Sequence, residues 1–221
     1  MVERNEAKGP HQGQELLKAG KVLAEAQSAM ILIHGRGASA YDILELGTYL
    51  APPQMAQLAP QAANSTWYPY SFLSPLAQNE PSLSSALQVI TDLVAQVEGA
   101  GIPAEKIIIG GFSQGACLAS EFAARSARRY GGLLILSGGI IGPPGIPRLY
   151  EGSLAGTPIF IGCSDVDFHI PLQRVEETAA VLAELGGVVT KKIYPNMGHT
   201  IIQDEIDQAR NIVMQMMGGP S

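Results

Sequence analysis

Residues 106 to 115, Lys-Ile-Ile-Ile-Gly-Gly-Phe-Ser-Gln-Gly, constrain this chain more than any other stretch. A β-branched apolar run (Ile107, Ile108, Ile109) leads directly into Gly111-Phe112-Ser113-Gln114-Gly115, and small apolar residues at helical spacing follow. The order is strand, sharp turn, helix, with a serine at the apex. Such a turn holds a hydroxyl clear of the backbone, where a base and a substrate carbonyl can both reach it. Strand and helix pass too closely around it to leave room for a Cβ at Gly111 or Gly115. The five-residue pattern alone would arise by chance with probability ~0.2 at this glycine and serine content. Its flanking strand and helix make it informative.

Composition narrows the classes. With 221 residues the chain suits one domain with one large core. Its 46% apolar and 15% charged residues describe a compact folded domain. A formal net charge of −6 and the lack of a Lys/Arg cluster argue against a nucleic-acid partner. Arg125, Arg128 and Arg129 are expected late in a helix, where cations suit its dipole. Cys117 and Cys163 sit in apolar surroundings, and two buried free thiols fit a reducing compartment. No segment approaches the length of a membrane span, and the first residues carry no apolar leader core; the expected location is the cytoplasm.

Along the chain, apolar runs alternate with helical periods. Strands are expected over 29–33, 106–110, 132–136, 158–162 and 188–194, and helices over 41–50, 82–98, 114–130, 172–185 and 203–217. Nearly continuous apolar strands, each followed by a helix, indicate a mostly parallel sheet covered on both faces. Residues 1–27 are harder to place, and Leu16-Leu17 with Val22-Leu23 suits either an edge strand or a frayed helix. The segment 60–81 is a long loop that holds Trp67, the only tryptophan, with several other aromatics. It is expected to cover the core, to wall a substrate pocket through Trp67, or both.

A serine hydroxyl becomes a good nucleophile only when a base takes its proton, and that base needs a third group to hold its tautomer. Among four histidines, His11 lies in a polar stretch and is expected to be solvated. His34 opens a glycine-rich turn and suits a structural hydrogen bond, and His169 sits in an acidic loop. His199 follows the last strand, at the sheet edge where open α/β sheets bind ligands. The acid is Asp165 or Asp167, both after the strand ending near Gly162. Ser113, Asp and His199 then run in the chain order that α/β-hydrolases use. An oxyanion hole is also required; its donors are expected at the Gln114 N–H and, from His34-Gly35-Arg36-Gly37, the Arg36 N–H.

At these residues the chain resembles the phospholipase/carboxylesterase group of α/β-hydrolases, the small serine esterases that include acyl-protein thioesterases. The likeness rests on His34-Gly35-Arg36-Gly37, Gly110 to Gly115, the acid loop ending Ile170-Pro171, and Tyr194-Pro195 through Met197-Gly198-His199. It implies a single α/β-hydrolase domain over 1–221 and a serine hydrolase that cleaves small or medium acyl esters or thioesters through an acyl-enzyme. No cofactor or metal is implied, and the partner is a small-molecule ester. The family pattern, similar to Gly-x-x-Asp-x-x-Val-Pro, is two residues longer here. Counting back from Ile170-Pro171 selects Asp167 as the acid; counting forward from Gly162 selects Asp165. Asp167 is preferred, because Asp-x-x-Ile-Pro sets the distance to the following helix. Two other classes compete: a ligand-binding protein that has lost turnover on this fold, and a metal hydrolase built on His34, His169 and the aspartates. Exposed apolar loop residues would also suit a homodimer.

Overall fold

The computed structural model describes residues 9–218, so the outermost ends of the expected 1–221 domain lie outside the described residues. Seven strands form one sheet: β1 (Leu16–Gly20), β2 (Ser28–Ile33), β3 (Met55–Pro60), β4 (Ile107–Phe112), β5 (Gly132–Leu136), β6 (Pro158–Ser164) and β7 (Val188–Tyr194). Their order is β1-β3-β2-β4-β5-β6-β7, with β1 antiparallel to β3 and every other pair parallel. Among the described residues five α-helices join them: α1 (Ala40–Leu50), α2 (Ser82–Gly99), α3 (Gln114–Arg125), α4 (Leu172–Glu184) and α5 (Gln203–Met216).

Alternation along the central strands builds two cores. Ile31, Ile33, Ile107, Ile109, Leu133, Ile135, Ile159 and Ile161 face α2, α3 and α4. Met30, Leu32, Ile108, Leu134, Leu136 and Phe160 face α1 and α5. Each side chain of this size contributes about 1.5–3 kcal/mol when withdrawn from water. Both faces are covered, which is why these strands read as unbroken apolar runs.

Several expectations change. Residues 55–60, given no strand above, form β3, held between β1 and β2. Leu16-Leu17 belongs to an edge strand, while residues 23–25 make one 3-10 turn. Helix α3 stops at Arg125 instead of near 130, because the chain leaves helical geometry at Ser126 and Ala127 bridges to Gly152. Arg128 therefore lies outside the helix; it pairs with Glu98 at 2.8 Å, and Arg129 donates to the Ala155 carbonyl. His11 is buried, not solvated. Its Nε2 donates to the Trp67 carbonyl at 2.8 Å and its Nδ1 accepts from the Ala63 N–H at 3.1 Å, so the 9–12 segment is stitched to the aromatic loop.

The strand registers bring the chemistry to one rim. Ile33 is level with Gly111, Phe112 with Leu136, Leu136 with Gly162, and Ser164 with Tyr194. The connections after β2, β4, β6 and β7 consequently open on the same edge.

Candidate active site

The turn between β4 and α3 is as tight as its glycines suggest. A Cβ on Gly111 would stand 2.6 Å from the Ile33 carbonyl oxygen, and one on Gly115 would run into that same oxygen. Ser113 at the apex has φ 56° and ψ −118°, a left-handed conformation that costs a residue with a Cβ about 1–3 kcal/mol. The surroundings hold it there: its N–H donates to Leu136 at 3.0 Å, and its carbonyl accepts from Cys117 at 3.0 Å.

The Ser113 hydroxyl donates to His199 Nε2 at 2.8 Å, and His199 Nδ1 donates to Asp167 Oδ2 at 2.6 Å. The carboxylate acceptor fixes the tautomer, leaving Nε2 free to take a proton. Asp167 Oδ1 accepts the N–H groups of His169 (2.8 Å) and Ile170 (3.1 Å), so both oxygens are engaged. Burial alone would raise this carboxyl. The His199 bond, the two N–H donors and the imidazole charge outweigh it and hold Asp167 below the usual aspartate value. A hydroxyl, an imidazole and an ionised acid linked in this order can deliver an alkoxide-like nucleophile near neutral pH.

Asp165 takes no part in this chain. It is exposed, and its Oδ1 accepts the Asn196 N–H at 2.8 Å, bracing the turn that leads to His199. In the acid loop Val166 and Phe168 are exposed (Phe168 by 82%) while Asp167 stays inside. His34 is buried and fully committed: Nδ1 donates to the Gly35 carbonyl at 2.7 Å, and Nε2 accepts the Ala62 N–H at 3.1 Å. Burial, opposed by that carbonyl, holds its imidazole below the ordinary value. It is far from ligating anything with His169, which is exposed and stacks edge-on against His199, ring centres 4.7 Å apart. Among the described residues no cluster of His, Cys, Asp or Glu is arranged to hold a metal ion.

A cleft of about 460 Å³ opens over Ser113, within the range of small-ligand sites. The aromatic loop does wall it, but through Tyr68, Pro69, Tyr70 and Phe72. Trp67, expected in that wall, is not among its lining residues. It is 0% exposed, and its ring N–H donates to the His34 carbonyl at 2.9 Å, so the indole is a buried support for the wall. Phe112, whose ring lies 4.9 Å from that of His199, and Cys117 also line the cleft, a role the sequence does not assign them. Nothing local marks them, since both also read as ordinary core. A larger hollow of about 610 Å³ lies between β1 and the end of α2 and holds no member of the hydrogen-bonded chain.

Residues 21–217 match the sequence profile of the phospholipase/carboxylesterase family. The crystal structure of a phospholipase/carboxylesterase from Dyadobacter fermentans superposes with a TM-score of 0.88 at 42% identity, covering 91% of this chain and 96% of that one. Acyl-protein thioesterase 1 of Debaryomyces hansenii is 28% identical over 226 residues, spanning 90% of this chain and 97% of its own. The Kluyveromyces lactis protein of the same name is 31% identical over 178 residues, 71% of this chain and 78% of its own. A match over nearly the whole length, on a mostly parallel seven-stranded sheet, leads to one conclusion: the chain belongs to the phospholipase/carboxylesterase family of ester-cleaving hydrolases with the α/β-hydrolase fold.

Proposed function

We propose that the protein is a serine esterase that cleaves small or medium acyl esters or thioesters through an acyl-enzyme. One observation carries this reading: the unbroken Ser113–His199–Asp167 hydrogen-bond chain at the floor of the cleft. Ser113 Oγ attacks the substrate carbonyl carbon while its proton passes to His199 Nε2. Asp167 steadies the imidazolium that results. The carbonyl oxygen, now negative, takes hydrogen bonds from two main-chain N–H groups. Gln114 N–H is one, a first-turn donor with no acceptor in its own helix. In the turn after β2, Gly37 and Ala38 N–H are taken by the Ser65 and Gly35 carbonyls, and the Arg36 N–H, not so engaged, is the second donor. A Cβ on Gly35 would stand 3.4 Å from Ser113 Cβ, so that turn backs directly on the nucleophile. Collapse of the intermediate breaks the bond to the alcohol or thiol, which leaves with the proton from His199. Water then repeats the sequence on the acyl-enzyme and releases the acid.

The relatives named acyl-protein thioesterase 1 support inclusion of thioesters, and the apolar cleft floor of Phe72, Cys117 and Ile170 supports an acyl group there. Cys117 and Cys163 are buried and unbridged, which supports a reducing compartment, the cytoplasm. No helix among the described residues is long and apolar enough to cross a membrane. Ser113→Ala should abolish hydrolysis of p-nitrophenyl esters and labelling by a fluorophosphonate while leaving the circular-dichroism spectrum unchanged. Retained turnover, or labelling at another residue, would sink the mechanism.

A further inference from the structure

The two residues assigned above as oxyanion donors belong to separate parts of the fold, a turn after β2 and the start of α3. Their side chains nevertheless converge on one loop. Arg36 Nη2 donates to the Tyr68 carbonyl and to the Tyr70 carbonyl, each at 2.8 Å, and Nη1 donates to the Pro69 carbonyl at 3.0 Å. Gln114 Nε2 donates to the same Tyr68 carbonyl at 2.9 Å, and its Oε1 accepts the Trp67 N–H at 2.8 Å. The Tyr68 oxygen is thus shared between the two side chains.

An exposed arginine commonly pairs with a carboxylate or stays in water. Here each of the three partners is a main-chain carbonyl, met by a planar fork that a lysine ammonium cannot imitate. The geometry has a mechanical meaning. Strand register fixes β2 beside β4, but Arg36 sits beyond the end of β2, where no ladder bond sets its distance to Gln114. The Tyr68 carbonyl supplies that measure. We propose that Arg36 is a positioning residue for ester cleavage: its guanidinium, acting with the Gln114 amide on the Tyr68 carbonyl, sets the spacing of the two oxyanion N–H groups. This rests on the serine-esterase reading. It also means that the loop whose Tyr68 and Phe72 line the cleft is the same loop that spaces the hole.

Replacing the Arg36 side chain leaves its N–H in place, so a loss of rate must come through geometry. Steady-state kinetics with p-nitrophenyl butyrate should be compared for wild type, Arg36→Ala, Arg36→Lys and Ser113→Ala. A misplaced donor costs about 10- to 100-fold in kcat. Arg36→Ala should fall in that range with KM changed less than about threefold, because the lost contact acts in the transition state. Arg36→Lys keeps the charge and the stem yet should lose nearly as much. Binding of a trifluoromethyl ketone, which mimics the tetrahedral intermediate, should weaken in proportion to kcat/KM. Added guanidinium ion should restore part of the rate to Arg36→Ala and none to Ser113→Ala. If Arg36→Ala does not fold, Arg36→Lys carries the same comparison. The clamp is overturned if kcat stays within about threefold of wild type, or if KM alone rises. An active Ser113→Ala would instead defeat the esterase mechanism itself, so the two failures are separable.

Discussion

Glu205 lies in the first turn of α5, six positions after His199, and its Oε2 accepts the Ile202 N–H at 3.0 Å. The side chain is fully buried against Gly162, where the missing Cβ makes room, and its Oε1 has no partner. Burial, with a smaller push from the Asp204 charge and against the pull of the Ile202 N–H, raises this carboxyl from 4.5 to about 7. The folded protein therefore holds the proton more tightly than the unfolded chain. Its stabilising effect is complete below about pH 4.5 and is lost as pH rises towards 7, above which the curve levels. A rise of about 2.5 in pKa corresponds to about 3.4 kcal/mol at 1.36 kcal/mol each. Of this, about 2.5 kcal/mol falls between pH 5 and pH 8. Glu205→Gln keeps the oxygen that caps Ile202 and removes the titration. Urea unfolding of both proteins at pH 5 and pH 8 should show the variant gaining about 2.5 kcal/mol on wild type across that interval. Parallel profiles, within about 0.5 kcal/mol, would mean that Glu205 is ionised inside the fold and that the burial argument is wrong.

The acid assignment is tested by two single changes. Asp167→Asn should lower kcat by about 10⁴-fold, as for other triad aspartates, whereas Asp165→Asn, which can still accept the Asn196 N–H, should stay within about tenfold. A larger loss at 165 in ester-hydrolysis assays would reverse the two. Gly115→Ala drives a Cβ into the Ile33 carbonyl and should cost at least about 3 kcal/mol in urea unfolding; a loss under about 1 kcal/mol would show that β2 and α3 part easily.

Much of the rim was legible because its residues are chosen by local geometry. Gly111 and Gly115 are demanded by close backbone approach, and Asp-x-x-Ile-Pro places a carboxylate beside the next helix whether or not two residues loop out before it. What stayed hidden depended on distant partners. Met55-Ala-Gln-Leu-Ala-Pro60 contains no β-branched residue, and it is a strand because β1 and β2 flank it. His11 sits in polar sequence, yet the loop 61–67 supplies both hydrogen-bond partners of its ring, which no neighbour in sequence announces. Trp67 departs from the expectation for the opposite reason. A lone tryptophan in an aromatic loop suits a binding wall, but its ring N–H found a buried carbonyl, and the flanking Tyr68 and Tyr70 took the cleft side. The three-carbonyl grip of Arg36 has no local signal at all, since its acceptors lie more than thirty residues onward.

Ser113, Asp167 and His199 follow β4, β6 and β7, and β7 is the outermost strand on its side of the sheet. A chain refolding with every layer seated except that border would possess the hydroxyl and the carboxylate but no imidazole to join them. On the serine-esterase reading, such a chain would regain turnover only when β7 docks. The sole indole, bonded to the His34 carbonyl beyond β2, reports on the other half of the sheet. Recording both signals after a jump out of denaturant would time the two halves of the molecule separately, with no label attached to either.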